Sequence, residues 1–167
     1  MASDIAWQGR WIEVRIDGRW EYAGRIGARG AAVILAITDA RQILLVEQYR
    51  PAHGAFTIEL PAGLIGDTGQ EDDALAAAAR ELAEETGYTA SDWQLVGDFA
   101  TSPGMTSELF TLLKATGLVR SGPGGGVGGE AISVHVVPLA GIDDFLRAQR
   151  AAGRIIDSRL LLAMGLI

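Results

Sequence analysis

The chain has 167 residues, no cysteine and a formal net charge of −7, which fits one domain with room for a core. The missing thiols exclude cysteine catalysis, disulfides and cysteine-ligated zinc and fit a cytoplasmic protein. The acidic balance argues against a general nucleic-acid surface, so a phosphate-bearing substrate would need local arginines and metal to overcome the overall field. No apolar run approaches the roughly eighteen residues of a membrane span, and no basic segment followed by an apolar stretch marks a signal peptide.

In chain order, Trp11-Ile12-Glu13-Val14-Arg15-Ile16 and Trp20-Glu21-Tyr22 flank Asp17-Gly18, a pattern that predicts a β-hairpin. Apolar runs at 31–37 and 43–46 predict a second hairpin or paired-strand unit, and 56–60 a short strand ending at Pro61. A helix is expected from a cap at Asp72 or Asp73 to about Thr86, stopped by Gly87. Strands are expected at 93–99, 109–115 and 132–137, with a flexible glycine-rich loop at 121–129. The segments 142–152 and 157 to the end have helical composition. No linker or internal repeat interrupts this mixed α/β order.

The chemistry concentrates in Arg80-Glu81-Leu82-Ala83-Glu84-Glu85-Thr86-Gly87-Tyr88. On an ideal helix Glu81, Glu84 and Glu85 fall on one side, with Leu75, Ala79, Leu82 and Thr86 roughly opposite. Like charges on neighbouring turns repel unless neutralised. Hard divalent cations take carboxylate oxygens and bridge to substrate phosphates. A solvated acidic face is the other reading of such a cluster.

Its context decides between them. The run matches the end of the Nudix box, G-x5-E-x7-R-E-U-x-E-E-x-G-U with U apolar. Upstream, Glu59-Leu60-Pro61-Ala62-Gly63-Leu64-Ile65 resembles the E-x-P-A-G-x-x segment that opens the box in ADP-ribose pyrophosphatases. The chain is thereby identified as a member of the Nudix hydrolase superfamily that resembles its ADP-ribose pyrophosphatases, over nearly its whole length. The box departs from the pattern in one place. From Gly63 to Arg80 it is three residues too long, the excess lying in Gly66-Asp67-Thr68-Gly69-Gln70, where a loop insertion is cheap. Asp72 stands where the pattern has Glu, with Glu71 beside it; either suits the start of a helix. Spacing from Gly66 to Asp72 also fits, so two glycines compete for the first position of the box.

The resemblance implies an α/β fold: a Nudix α/β/α sandwich with mixed sheet and an N-terminal β-hairpin extension. Residues 1–30 would be that extension, used in dimerisation and base binding, and 31–167 the hydrolase domain. It implies Mg²⁺, with Mn²⁺ as the alternative, held by Glu81 and Glu85, with Glu84 completing the cluster partly through water and the carbonyl of Ala62 as a further ligand. Arg80 would orient the glutamates by ion pairing. Glu130 precedes Ala131-Ile132-Ser133-Val134-His135-Val136-Val137-Pro138, similar to the strand after the catalytic loop of ADP-ribose pyrophosphatases. There the glutamate positions or deprotonates the attacking water, and the preceding glycines would let it swing in. His135 reads as packing or surface.

Substrate contacts are implied likewise. Trp20-Glu21-Tyr22-Ala23-Gly24-Arg25 resembles the W-E-x-x-x-R segment whose Trp stacks on adenine, whose Glu bonds its amino edge and whose Arg reaches the ligand. Trp11 resembles the tryptophan that closes the other side of the base from the partner of a homodimer. In Glu47-Gln48-Tyr49-Arg50-Pro51 the Arg50 position contacts the diphosphate, a task suited to a guanidinium fork. Ser102-Pro103-Gly104-Met105-Thr106-Ser107-Glu108 resembles the loop whose glycine backbone and glutamate, here Gly104 and Glu108, meet the terminal ribose. The expected activity is hydrolysis of ADP-ribose to AMP and ribose 5-phosphate. The alternatives are a UDP-sugar or GDP-mannose pyrophosphatase, a non-catalytic ADP-ribose-binding sensor, or a protein-interaction scaffold.

Overall fold

A computed structural model describes residues 3–66 and 73–166. Strands β1 (Asp4–Gln8), β2 (Ile12–Asp17) and β3 (Trp20–Arg25) form an antiparallel sheet in that order. β2 and β3 are the expected hairpin, pairing Asp17 with Trp20 across a two-residue turn, a loop length that suits twisted strands. β1 was not expected: every residue in it is exposed, so no buried face imposes an alternating pattern.

β4 (Ala31–Ala36) is buried at every position, and its sequence is accordingly a continuous apolar run. Its alternate residues feed two cores. Val33 and Leu35 pack with Ile58, Leu112, Leu146 and Leu160. Ala32, Ile34 and Ala36 pack with Ala77, Ala78, Leu82 and Leu113 on the other side. The sheet runs β7-β4-β9-β8, with β7 (Ala62–Leu64), β8 (Tyr88–Ala100) and β9 (Leu109–Arg120), and only β4 and β9 are parallel.

β5 (Gln42–Arg50) lies in a second sheet, β10-β5-β6-β11, with β6 (Ala55–Glu59), β10 (Ser133–Pro138) and β11 (Ile155–Ile156), the last parallel to β6. The expected pairing of 31–37 with 43–46 is therefore corrected. A single bridge, Ile37 to Ile43, joins them before they part into different sheets. The runs 31–36 and 43–46 are buried at every position, and each finds its ladder partners in its own sheet.

Helix α1 (Ala74–Glu81) covers one side, and α2 (Ile142–Ala151) and α3 (Ser158–Met164) the other. This is the α/β/α sandwich with mixed sheets that the sequence implied. Asp73 is the cap of α1, its side chain accepting from the Ala76 N–H at 2.8 Å. Glu71, Asp72 and most of the lengthened box loop lie outside the described residues. Of the residues opposite the glutamates, Leu82 and Thr86 are buried and Leu75 and Ala79 exposed; Ala77 and Ala78 complete the buried side of α1. The SPGMTSE loop is stitched to β3, with Ala23 N–H donating to the Met105 carbonyl at 2.8 Å and Ser107 N–H to the Ala23 carbonyl at 3.0 Å. No helix among the described residues is long and apolar enough to cross a membrane.

Candidate active site

A cleft of about 1050 Å³ opens beside β5, β6, β7, the end of α1 and the start of α3, a size that suits a small-molecule ligand. Of the residues singled out in the sequence, it collects Arg25, Arg50, Ala62, Glu81, Glu85, Glu108 and Glu130.

The local cause lies where α1 ends. After Glu81 the chain continues as a π turn, Leu82–Thr86, and Gly87 at φ +74° closes it. A Cβ at Gly87 would also meet the Gly122 carbonyl oxygen at 2.3 Å, so both conformation and contact require glycine there. Single π turns inside helices recur at functional sites. Glu81 and Glu85 line the cleft, whereas Glu84 does not. Glu85 is 5% exposed, its Oε2 accepting from the Ala62 N–H at 3.0 Å. Burial pushes its carboxyl from 4.5 up to about 8, opposed by the Ala62 hydrogen bond and reinforced by the negative charges of Glu81, Glu130 and Glu59.

Arg80 donates to Glu81 Oε1 at 2.6 Å and stands 3.6 Å from Glu84. It is outside the cleft lining. Glu130 lies at the exposed tip of the glycine-rich loop, its Oε2 accepting from the Val127 N–H at 3.1 Å. That loop was expected to be flexible throughout. Its middle is instead anchored, Gly125 N–H donating to the Glu85 carbonyl at 2.8 Å and Gly126 N–H to the Glu84 carbonyl at 3.0 Å. These bonds satisfy carbonyls that the end of a helix would leave open.

The arginines of the cleft are held by acids. Arg25 donates to Glu108 at 2.6 Å. Arg50 forks onto Glu59, Nε and Nη2 each 2.7 Å from a carboxylate oxygen. Glu59 is 3% exposed and also accepts from Thr57 and, at 3.2 Å, from Arg159. Arg159 in turn donates its Nε to Asp157 at 2.7 Å. The sequence marked Glu59 only as part of a motif and Asp157 only as the start of a helical segment, and gave Arg159 no role. An Asp-Ser pair before a helical stretch is a cap signal, but nothing local marks Arg159 as facing a cleft.

Trp11, Trp20, Glu21 and Gly104 are exposed and do not line the cleft. Trp20 starts β3 and Arg25 ends it, so the strand's own length separates them. Arg10 lies 4.5 Å over the Trp11 ring and Arg19 5.8 Å over Trp20. His135 contacts Glu47 at 2.9 Å and the Phe145 ring edge, away from the cleft lining. Burial pushes the Glu47 carboxyl up, but hydrogen bonds from His135 and Arg154 outweigh it and leave the group below its usual value.

Does this donor set fit a divalent ion? Among the described residues no three acid or histidine side chains already stand as a closed ligand cage. The chemistry nevertheless fits a hard cation. Glu85 is a buried carboxyl crowded by Glu81, Glu130 and Glu59 and raised by burial, and hard cations prefer such oxygens. Gly63 lets the Glu81 side chain approach β7 more closely than any Cβ would permit.

A sandwich of this order with paired glutamates and acid-held arginines in one cleft defines a pyrophosphohydrolase of Nudix type. The NUDIX domain family matches residues 28–157, and the chain belongs to that family. It is 32% identical to the methanol dehydrogenase activator of Bacillus methanolicus over 162 residues, covering 93% of this chain and 84% of that protein. It is 43% identical to an ADP-ribose pyrophosphatase of Mycobacterium tuberculosis over 93 residues, 56% of this chain and 44% of that one. The match thus spans less than half of that relative's length. The crystal structure of an ADP compounds hydrolase shares the fold, with a TM-score of 0.67 at 22% identity, covering 88% of this chain and 81% of that one. Nudix hydrolases generally use divalent metal ions.

Proposed function

We propose that the chain hydrolyses the diphosphate of a nucleoside diphosphate sugar, ADP-ribose foremost, with Mg²⁺ held by Glu81, Glu85 and the Ala62 backbone. The observation that carries this reading is the meeting of Glu81, Glu85 and Glu130 with Arg25 and Arg50 in one cleft. A bound Mg²⁺ would neutralise phosphate oxygens and acidify a water. Arg50 takes the diphosphate, its guanidinium held in place by Glu59. Glu130 orients the attacking water and receives its proton. Oxygen adds to one phosphorus, the bond from that phosphorus to the bridging oxygen breaks, and the bridging oxygen leaves with the other phosphate. AMP and ribose 5-phosphate are the products. In the same reading Gly104 and Glu108 meet the terminal ribose and Arg25 reaches the ligand.

The adenine choice rests on β2 and β3. In this reading Trp20 stacks on the base, Glu21 bonds its edge, and Trp11 crosses from the partner of a homodimer through an extension formed by residues 1–30. The protein is cytoplasmic in the same reading. Light scattering that gives a monomer at assay concentration removes the shared base site.

The test is product release from ADP-ribose, UDP-glucose, GDP-mannose, NADH and diadenosine polyphosphates, each with Mg²⁺ and with EDTA. Metal-dependent cleavage fastest on ADP-ribose supports the reading. Trp20→Ala is expected to weaken ADP-ribose by roughly 1–3 kcal/mol, the scale of base–aromatic stacking. Unchanged affinity in that variant removes the adenine assignment and leaves the pyrophosphatase. Binding of ADP-ribose without turnover of any substrate indicates a sensor.

A further inference from the structure

We infer that Arg159 is a second phosphate-binding arginine of the cleft, set beside Arg50 by the shared carboxylate of Glu59. The inference deepens the pyrophosphatase reading and rests on it. β11 is only two residues long, yet it pairs parallel with β6, and Asp157 extends that pairing, its N–H donating to the Ile58 carbonyl at 3.0 Å. That pairing delivers Asp157 and the first turn of α3 next to Glu59, the residue following Ile58. Asp157 caps α3 by accepting from the Arg159 N–H at 2.8 Å and also holds the Arg159 Nε.

The result is a chain of alternating charge: Arg50, Glu59, Arg159, Asp157. Glu59 takes two bonds from Arg50 and one from Arg159. Each guanidinium gives Nε and Nη2 to acids, and among the described residues neither Nη1 has a protein partner. Both arginines line the cleft that holds Glu81 and Glu85. Arg50 also feels the charges of Glu85 and Asp157, so one of the two carboxylates proposed for metal stands close by. Two guanidinium groups, immobilised before the ligand arrives, lose little side-chain freedom on binding a phosphate. The ligand class is a phosphate group of a diphosphate.

Inorganic pyrophosphate is the probe, titrated calorimetrically into the intact protein in EDTA, so that no metal-bridged binding contributes. Arg159→Gln is expected to weaken it about tenfold or more, as for loss of charged hydrogen bonds, with Arg50→Gln as the reference. In kinetics on ADP-ribose with Mg²⁺, KM is expected to rise by a similar factor with kcat within about threefold, a split that a fold defect does not produce. Arg159→Lys keeps a cation for Glu59 and Asp157 but loses the fork; it carries the test if the Gln variant melts early. Pyrophosphate affinity unchanged in a folded Arg159 variant overturns the inference, and so does wild-type protein that binds none. If pyrophosphate binding falls in the variants while the wild type cleaves no sugar nucleotide, the two-arginine anion site stands and the pyrophosphatase reading falls. Normal turnover with an unaltered KM in Arg159→Gln does the reverse.

Discussion

Glu85→Gln is expected to lower kcat about 10³-fold or more, since it removes a charge worth several kcal/mol at roughly 1.4 kcal/mol per tenfold. It should do so while leaving the metal-free protein at least as stable. The reason is the burial of this carboxyl, which moves from 4.5 up to about 8. Between those values the folded chain keeps a proton that the unfolded chain releases. The stabilising contribution is therefore complete below about 4.5 and disappears as pH rises through about 8. Metal-free wild type should lose stability across that window, by an amount on the order of a few kcal/mol. Glutamine has no proton to lose, so the variant should show a flatter profile. A divalent ion binds the deprotonated form, so Mg²⁺ should raise the wild-type Tm most at alkaline pH and release protons as it binds. Thermal unfolding from pH 5 to 9, with and without Mg²⁺, reads all of this. A wild-type profile that rises through the window, or a Glu85→Gln variant that Mg²⁺ stabilises equally, contradicts the assignment of Glu85.

How much of this was legible beforehand depends on the range of the interaction that decides it. The β2–β3 hairpin, the Asp73 cap and the Gly87 stop are set by neighbours within a few residues, and the sequence carries them openly. The outer lengths of β8 and β9 are not: their paired ends, Tyr88 with Arg120 and Thr89 with Val119, are half-buried or exposed, so no apolar alternation marks them. The π turn escapes as well, because an ideal helical wheel assumes one period throughout. Glu84 stays outside the cleft lining, while Arg80 reaches both Glu81 and Glu84. The Glu59–Arg159 contact joins residues a hundred positions apart, and only the parallel pairing of β11 with β6 brings them together.

Gly63→Ala should reduce kcat about 10²-fold, the scale expected when a catalytic group is displaced by about an ångström. Gly63 has an ordinary backbone conformation, so alanine brings no torsional strain. The objection is contact. A Cβ at this position would lie 2.0 Å from the Glu81 carboxyl carbon, 2.1 Å from its Oε1 and 2.2 Å from its Cγ. Either Glu81 leaves β7 or β7 leaves α1, and β7 is paired to the buried strand β4, Ala32 opposite Gly63. The side chain is the softer of the two and should yield, breaking its 2.6 Å contact with Arg80. Folding should suffer little, while half-saturation by Mg²⁺ should move to higher concentration. Pairing the change with Glu81→Ala separates displacement of Glu81 from general damage, because residues in contact do not act additively. In the Glu81→Ala background the three atoms nearest the methyl added by Gly63→Ala are gone, so its effects on Tm and on metal binding should shrink. Activity of Gly63→Ala within about threefold of wild type would mean that Glu81 does its work from a different position. A Tm loss that persists without the Glu81 carboxylate would place the strain in β7 itself.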